Sequence, residues 1–350
     1  MPSLAQARRG LALGAIAGLG IYRPRADAPL ARRVTGTDLT GVSYRVKADQ
    51  GVSTPSLAAG AARAALRAAG VNSSDIEMII VGTSTPDVLW PTTACLVQTE
   101  LKLPMVGSFD LYAAETSLLA ALNVGIRYTA AGARGVLLIG AESDNQLVDL
   151  PGQSGRVHAR AAAAVVLTQA GDDGGVLSTM AGGAARTDPN GDADHHTLLR
   201  GLTEAGAECL QKANLAMSEI DLVVGEQSAP EIMQAWCKHA GVASSRMLLD
   251  PVRYGSLRAA APLTALHDAV QSGRLQNGMT ALLLACGSGP TWAAACLRWG
   301  GGGIAEASPG VERRARTASP GVERRARNGE RHASRRHGHG RHHLVGAHHP

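Results

Sequence analysis

The residue whose type and place most readily do chemistry is Glu115. In residues 108–122, SFDLYAAETSLLAAL, an apolar strand end runs through an Ala-rich turn into a helix and sets this carboxylate at the helix start. Unpaired backbone N–H groups gather at such a place and favour an anion, so the elbow reads as the centre of a site. Other candidates are weaker. Cys95, Cys209, Cys237, Cys286 and Cys296 are odd in number and form no C-x-x-C pair, which argues against a disulfide framework and against a zinc site. Cys286 reads as a small buried hydrophobe. His195 and His196 follow Asp192 and Asp194 in a Gly/Asp-rich stretch; the residue types suit a metal, while the composition reads as a solvated loop. Asp144, Asn145 and Asp149 follow a strand and read as pocket-mouth or as solvated loop residues. No metal and no cofactor is expected.

The elements that must hold Glu115 alternate. Residues 15–22 read as a first strand closed by Arg23-Pro24; the competing reading, a signal peptide after Arg8-Arg9, lacks a cleavage site. A helix over 56–69, ended by Gly70, precedes a strand over 77–82. A helix over 92–101, a strand over 106–110, the elbow helix over 116–130 and a strand over 135–140 follow, as in a layered α/β fold. Strands over 162–168 and 176–180 lead to a helix over 202–213 and a strand over 220–225. The second set repeats the first. Residues 74–80 lie over 218–224 at an offset of 144, and 135–139 lie over 280–284 at an offset of 145. Such spacing implies an internal duplication, with residues 1–170 and 171–300 as two halves that share one site.

Composition bounds the rest. Hydrophobic residues make up 45% of the 350, enough for a large core, while aromatics make up 3% with a single Phe, so that core is built of small aliphatic side chains. The net charge of +5 belongs to the end of the chain: residues 301–350 hold ten arginines against four glutamates, and residues 1–300 hold 24 basic against 25 acidic groups. Nothing in the body suggests a nucleic-acid face. No stretch reaches about 18 apolar residues, so no membrane-spanning helix is expected. A reducing cytoplasm fits the cysteine usage. In the last fifty residues, 307–316 recur as 318–327 before an Arg/His-rich run, and this tail is expected to be disordered, with the fold ending near Trp299.

Taken together, the duplicated halves, the elbow after Phe109-Asp110, the segment 225–230, the loop Arg253-Tyr254-Gly255-Ser256 and the stretch Gly287-Ser288-Gly289-Pro290-Thr291-Trp292 resemble β-ketoacyl-ACP synthase III of the thiolase fold, over residues 14–299. The resemblance implies an αβαβα layered fold. It also implies condensation of an acyl-CoA primer with malonyl-ACP by a cysteine at the elbow, with a His and an Asn that stabilise the enolate. At those places this chain has Glu115, Glu226 and Ser256. A carboxylate does not replace a thiolate in forming a transferable thioester, and an ionised Glu226 adds negative charge beside an enolate. Ordinary condensation is therefore not expected.

The same resemblance brings Glu115 and Glu226 together in a partly buried pocket. Two close carboxylates cannot both ionise cheaply, so one is expected to hold its proton toward neutrality and to suit acid/base work on a thioester-bound substrate. Ser256 would orient a substrate oxygen, and the backbone N–H groups of Glu115 and Ser288 would form the oxyanion hole. Trp90 and Gln227 would line the substrate pocket. The bland alternative leaves both glutamates as relics, held by Arg253 or by Gln227 and water, in a non-catalytic subunit paired with an active ketosynthase. A third reading is a malonyl-ACP decarboxylase-like priming protein, but those proteins keep histidines that this chain lacks. The implied partners are acyl carrier protein or a CoA thioester and a homodimeric or heterodimeric mate. Glu231 and Leu39, where the family has arginines for carrier and nucleotide, and His158-Ala159-Arg160-Ala161-Ala162 in place of a Gly-rich segment, depart from that pattern.

Overall fold

Small residues let the layers of this protein lie close together. The computed structural model describes residues 12–23, 52–143, 160–171, 174–183, 195–250, 257–287 and 290–307. Strand β1 (Ala15–Tyr22) runs beneath helix α1 (Thr54–Ala69). A Cβ on Gly18 would stand 2.4 Å from the Ala65 carbonyl oxygen, and one on Gly20 would stand 2.2 Å from the Ala65 nitrogen. The helix meets those glycines with Ala61, Ala64 and Ala65, all fully buried. Ser53 caps its start by accepting a bond from the Ser56 N–H, and Gly70 ends it in the left-handed region at φ 63°.

The further elements are β2 (Ile76–Gly82), α2 (Thr93–Leu101), β3 (Gly107–Leu111), α3 (Ser117–Ala130), β4 (Gly135–Glu142), β5 (Ala161–Thr168) and β6 (Gly175–Gly183). They are followed by α4 (His195–Ala213), β7 (Leu222–Val224), α5 (Pro230–Ala240), β8 (Met247–Leu248), α6 (Ala261–Gln271), β9 (Thr280–Gly287), β10 (Thr291–Arg298) and β11 (Gly303–Glu306). One sheet has the order β11-β1-β5-β4-β2-β3 and the other β6-β10-β9-β7-β8. Helices α3 and α6 fill the space between the sheets, in a core with Leu118, Leu122, Leu263 and Leu266. Helices α1 and α2 cover the outer face of the first sheet, and α4 and α5 that of the second. Five layers result, α/β/α/β/α, the arrangement expected of a thiolase fold.

Two sequence expectations need correction. The fold does not end near Trp299: β11 adds a parallel strand beside β1, with Gly18 opposite Gly303, and Arg23 ties it down through Glu306 and Asp268. A run of glycines from 300 to 303 looks like a chain end, yet a Cβ on Gly303 would lie 2.1 Å from the Ala68 carbonyl oxygen, so this strand needs glycine to reach the sheet. His195 and His196 do not lie in a loop. They open α4, whose apolar face at Leu198, Leu202, Ala205 and Cys209 carries the helical period back beyond residue 202. His195 Nε2 lies 3.7 Å from Glu231 Oε1, and no cluster of three metal-ligating side chains occurs among the described residues.

Candidate active site

Strand β3 delivers the elbow. Its Asp110 carboxylate accepts bonds from the Thr93 and Ala94 N–H groups, both at 2.7 Å, and so ties the strand end to the start of α2. The chain then turns through Ala113 and Ala114, which adopts φ 49°, into the short turn Ala114–Thr116 and on into α3. Ser117 Oγ accepts from the Ala113 N–H at 2.8 Å and donates to the Ala114 carbonyl at 2.7 Å, which stitches the turn shut. Glu115 is buried there at 5% exposure. Its carboxylate lies over Gly287 at the end of β9, where a Cβ would stand 1.8 Å from Oε2. Only glycine leaves room for it.

Glu226 follows β7 and is fully buried. Its Oε1 accepts from the Ser228 N–H and from Ser228 Oγ, both at 3.0 Å, while Oε2 is buried and meets no hydrogen-bond partner among the described residues. Burial pushes the carboxyl up to about 7, and the charge on Glu115 pushes in the same direction against the Ser228 bonds. The pair that the sequence brought together is therefore close enough to interact.

Two further charged residues, which sequence reasoning missed, belong to the same buried cluster. Glu142 ends β4, accepting from the Ser84 N–H at 3.0 and 3.2 Å and from Thr85 Oγ1 at 2.8 Å. Burial raises its carboxyl to about 7; Arg258 and these bonds oppose that rise, and Glu115 adds to it. Arg258 is 4% exposed and adopts φ 45°. The signal that would have found both is the internal repeat, which at an offset of 144 sets Arg258 on Ala114 and at 145 sets Glu142 under Gly287.

The Gln227 side chain is engaged by the main chain. Its amide donates to the carbonyls of Gly225 at 2.5 Å and Leu248 at 3.1 Å and accepts from the Asp250 N–H at 2.8 Å, so it joins the ends of β7 and β8. The Gln227 backbone N–H also favours the ionised Glu226 carboxylate, beside the two bonds from Ser228. Trp90 is 82% exposed in the loop before α2. Cys286 is buried, and its surroundings, with the Glu226 and Glu115 carboxylates near, push the thiol far up and keep it un-ionised. Ser256, Ser288, Arg253, Leu39, Asp144, Asn145, Asp149, His158 and the tail from residue 308 lie outside the described residues.

Comparison with known proteins agrees with this architecture. The family described as 3-oxoacyl-[acyl-carrier-protein (ACP)] synthase III C terminal matches residues 210–299. The β-ketoacyl-[acyl-carrier-protein] synthase III of Xylella fastidiosa is 32% identical over 316 residues, covering 81% of this chain and 98% of the relative. The crystal structure of the Aquifex aeolicus enzyme superposes with a TM-score of 0.73 at 30% identity, over 82% of this chain and 100% of that one. Xanthomonas campestris OleA, at 21% identity and a TM-score of 0.68 over 82% of this chain and 98% of that one, shares the fold. With two sheets and buried central helices of this kind, and a relative matched almost end to end, the chain belongs to the β-ketoacyl-[acyl-carrier-protein] synthase III family.

Proposed function

We propose that this protein performs acid/base chemistry on acyl groups held as thioesters of acyl carrier protein or CoA, without cysteine-based condensation. Glu115, Glu226 and Ser256 stand in for the Cys, His and Asn of the family. One observation carries the reading: a fully buried carboxyl, Glu226, with one oxygen fixed by Ser228 and the other without a partner among the described residues, beside Glu115. A group that titrates near neutrality takes a proton from a carbon next to a thioester carbonyl and gives it back without a large cost in either direction. Enolisation, dehydration, cyclisation and hydrolysis all draw on such a group. Ser256 and the Ser288 N–H complete the proposed site. The setting is a fatty-acid or polyketide-type pathway in the cytoplasm.

The test is turnover by the purified full chain on a panel of acyl-CoA and acyl-ACP substrates, followed by mass spectrometry beside Glu115→Ala and Glu226→Ala. Conversion by the wild type that both variants lose is expected. Absence of conversion in all three would overturn the reading.

A second reading, a non-condensing subunit that pairs with an active ketosynthase or with its own copy, draws support from exposed apolar side chains. Leu89, Trp90, Met105 and Tyr112 are 72%, 82%, 98% and 56% exposed, and Met105 and Tyr112 flank β3, the edge strand of its sheet. An edge strand with apolar neighbours is a surface that another chain covers. Native mass spectrometry with a Cys-bearing ketosynthase separates a mixed dimer from a dimer of this chain.

A further inference from the structure

The two sheets share one plan. The order β1-β5-β4-β2-β3 recurs as β6-β10-β9-β7-β8, with two antiparallel and then two parallel pairings in each. The elbow recurs as well. The turn Ala114–Thr116 feeds α3, and the turn Arg258–Ala260, 144 residues later, feeds α6. Both turns open on a non-glycine residue in the left-handed region, Ala114 at φ 49° and Arg258 at φ 45°. Among the described residues the other two such positions, Lys102 and Asn214, follow the ends of helices, where that conformation is ordinary. At a helix start it is strained, and it persists where the surroundings enforce it.

Each elbow also lies against the other sheet. The Glu115 carboxylate rests on Gly287 of β9, and the carbonyl of Ala259 rests on Gly140 of β4, where a Cβ would stand 2.6 Å from its oxygen. At the strand ends the chemistry is exchanged. The first elbow presents an acid to a bare glycine, whereas the second presents Arg258 beside Glu142. Arg258 is the only buried lysine or arginine among the described residues, and Glu142 is anchored by Ser84 and Thr85.

We propose that Arg258 is a catalytic residue whose guanidinium binds the carbonyl oxygen of the acyl thioester and holds the negative charge that develops there. The assignment rests on the reading of Glu115 and Glu226 as the proton-exchanging pair. As the C–H bond next to the carbonyl breaks, its proton passes to the Glu226 carboxylate. The bonding electrons form a C=C bond, and the carbonyl π pair moves onto the oxygen beside Arg258. Reversal of these movements returns the proton. With Glu226 protonated, the buried carboxylates of Glu115 and Glu142 would still repel such an oxyanion, and a buried guanidinium offsets that repulsion.

The probe is S-carboxymethyl-CoA, a stable thioether with a carboxylate near the place of the enolate oxygen, compared with CoA itself by calorimetry on the full chain. Wild type should bind the carboxymethyl compound at least about tenfold more tightly than CoA. Arg258→Gln should lose that preference and Arg258→Lys should keep part of it. Both replacements carry a Cβ, so the strain at this position is unchanged, and thermal melts report whether each variant folds. Equal affinity of the wild type for the two ligands, or a preference that survives in a folded Arg258→Gln, overturns the proposal. Exchange of the acetyl protons of acetyl-CoA in heavy water supplies the second readout. Arg258→Gln should slow it by about 100-fold in kcat with KM little changed. An Arg258-dependent preference without exchange in the wild type would sink the acid/base reading and leave the anion site standing.

Discussion

Glu226 and Glu142 sit at the ends of β7 and β4, are equally hidden from water, and are both raised to about 7, yet their surroundings differ. Glu142 spends both oxygens on Ser84 and Thr85 and lies beside a guanidinium. Glu226 spends one oxygen on Ser228, and its other oxygen has no partner among the described residues. The same titration midpoint therefore arises from different balances. In Glu142, burial competes with a cation and several donors; in Glu226, burial competes with one serine and one backbone stretch. A carboxyl whose oxygens are already satisfied is part of the scaffold, whereas one with an idle oxygen in a dry site is ready to exchange a proton.

The sharpest way to break this contrast is turnover. Glu226→Gln keeps the shape and removes the base, so the rate should fall by roughly 100-fold to 10⁴-fold, while Glu142→Gln should cost about tenfold or less. Equal losses would show that the two carboxylates act as one unit. A smaller effect concerns stability against pH. Each carboxyl binds its proton more tightly in the folded chain than at the ordinary value of 4.5, so the stability it lends is complete below that pH and is lost as pH rises through about 7. At pH 8, Glu226→Gln should melt above the wild type, by on the order of 5 °C, and the gap should close at pH 4.5. Glu142→Gln should gain less, because its amide turns an NH2 toward the Ser84 N–H or the Thr85 hydroxyl. The smallest effect is expected from Ser228→Ala. Its hydroxyl favours the ionised form of Glu226, so its loss should move the rising limb of the pH–rate profile upward while leaving the plateau rate within about twofold. A downward shift would place the titrating group elsewhere.

Much of the frame was legible because it rests on periodicity. Residues 15–22 read as a strand and form β1 over Ala15–Tyr22, and the elbow strand and helix fall within a residue or two of their expected bounds. Glu115 was legible as well, since a lone acid in an Ala-rich turn between strand and helix stands out. Arg258 was not. In LRAAAPLTAL it looks like an ordinary cation on a helix surface; the offset of 144 that lays it on Ala114 is its one mark in the sequence, and its burial shows in the folded chain. The bonds of the Gln227 side chain were not legible for a related reason: sequence position does not say which groups an amide meets, and here three main-chain groups claim it. Strand β11 was hidden by glycines that signal looseness in isolation and close contact in place.

That last strand also bears on how the protein is made. β1 is synthesised long before its parallel neighbour β11, with Gly18 opposite Gly303 and the Arg23 clamp closing on Glu306 and Asp268. The first sheet thus keeps an open edge until nearly the whole fold has been synthesised. Over that interval β1 presents unpaired N–H and C=O groups to whatever strand comes near, an open edge that only the return of the chain as β11 closes.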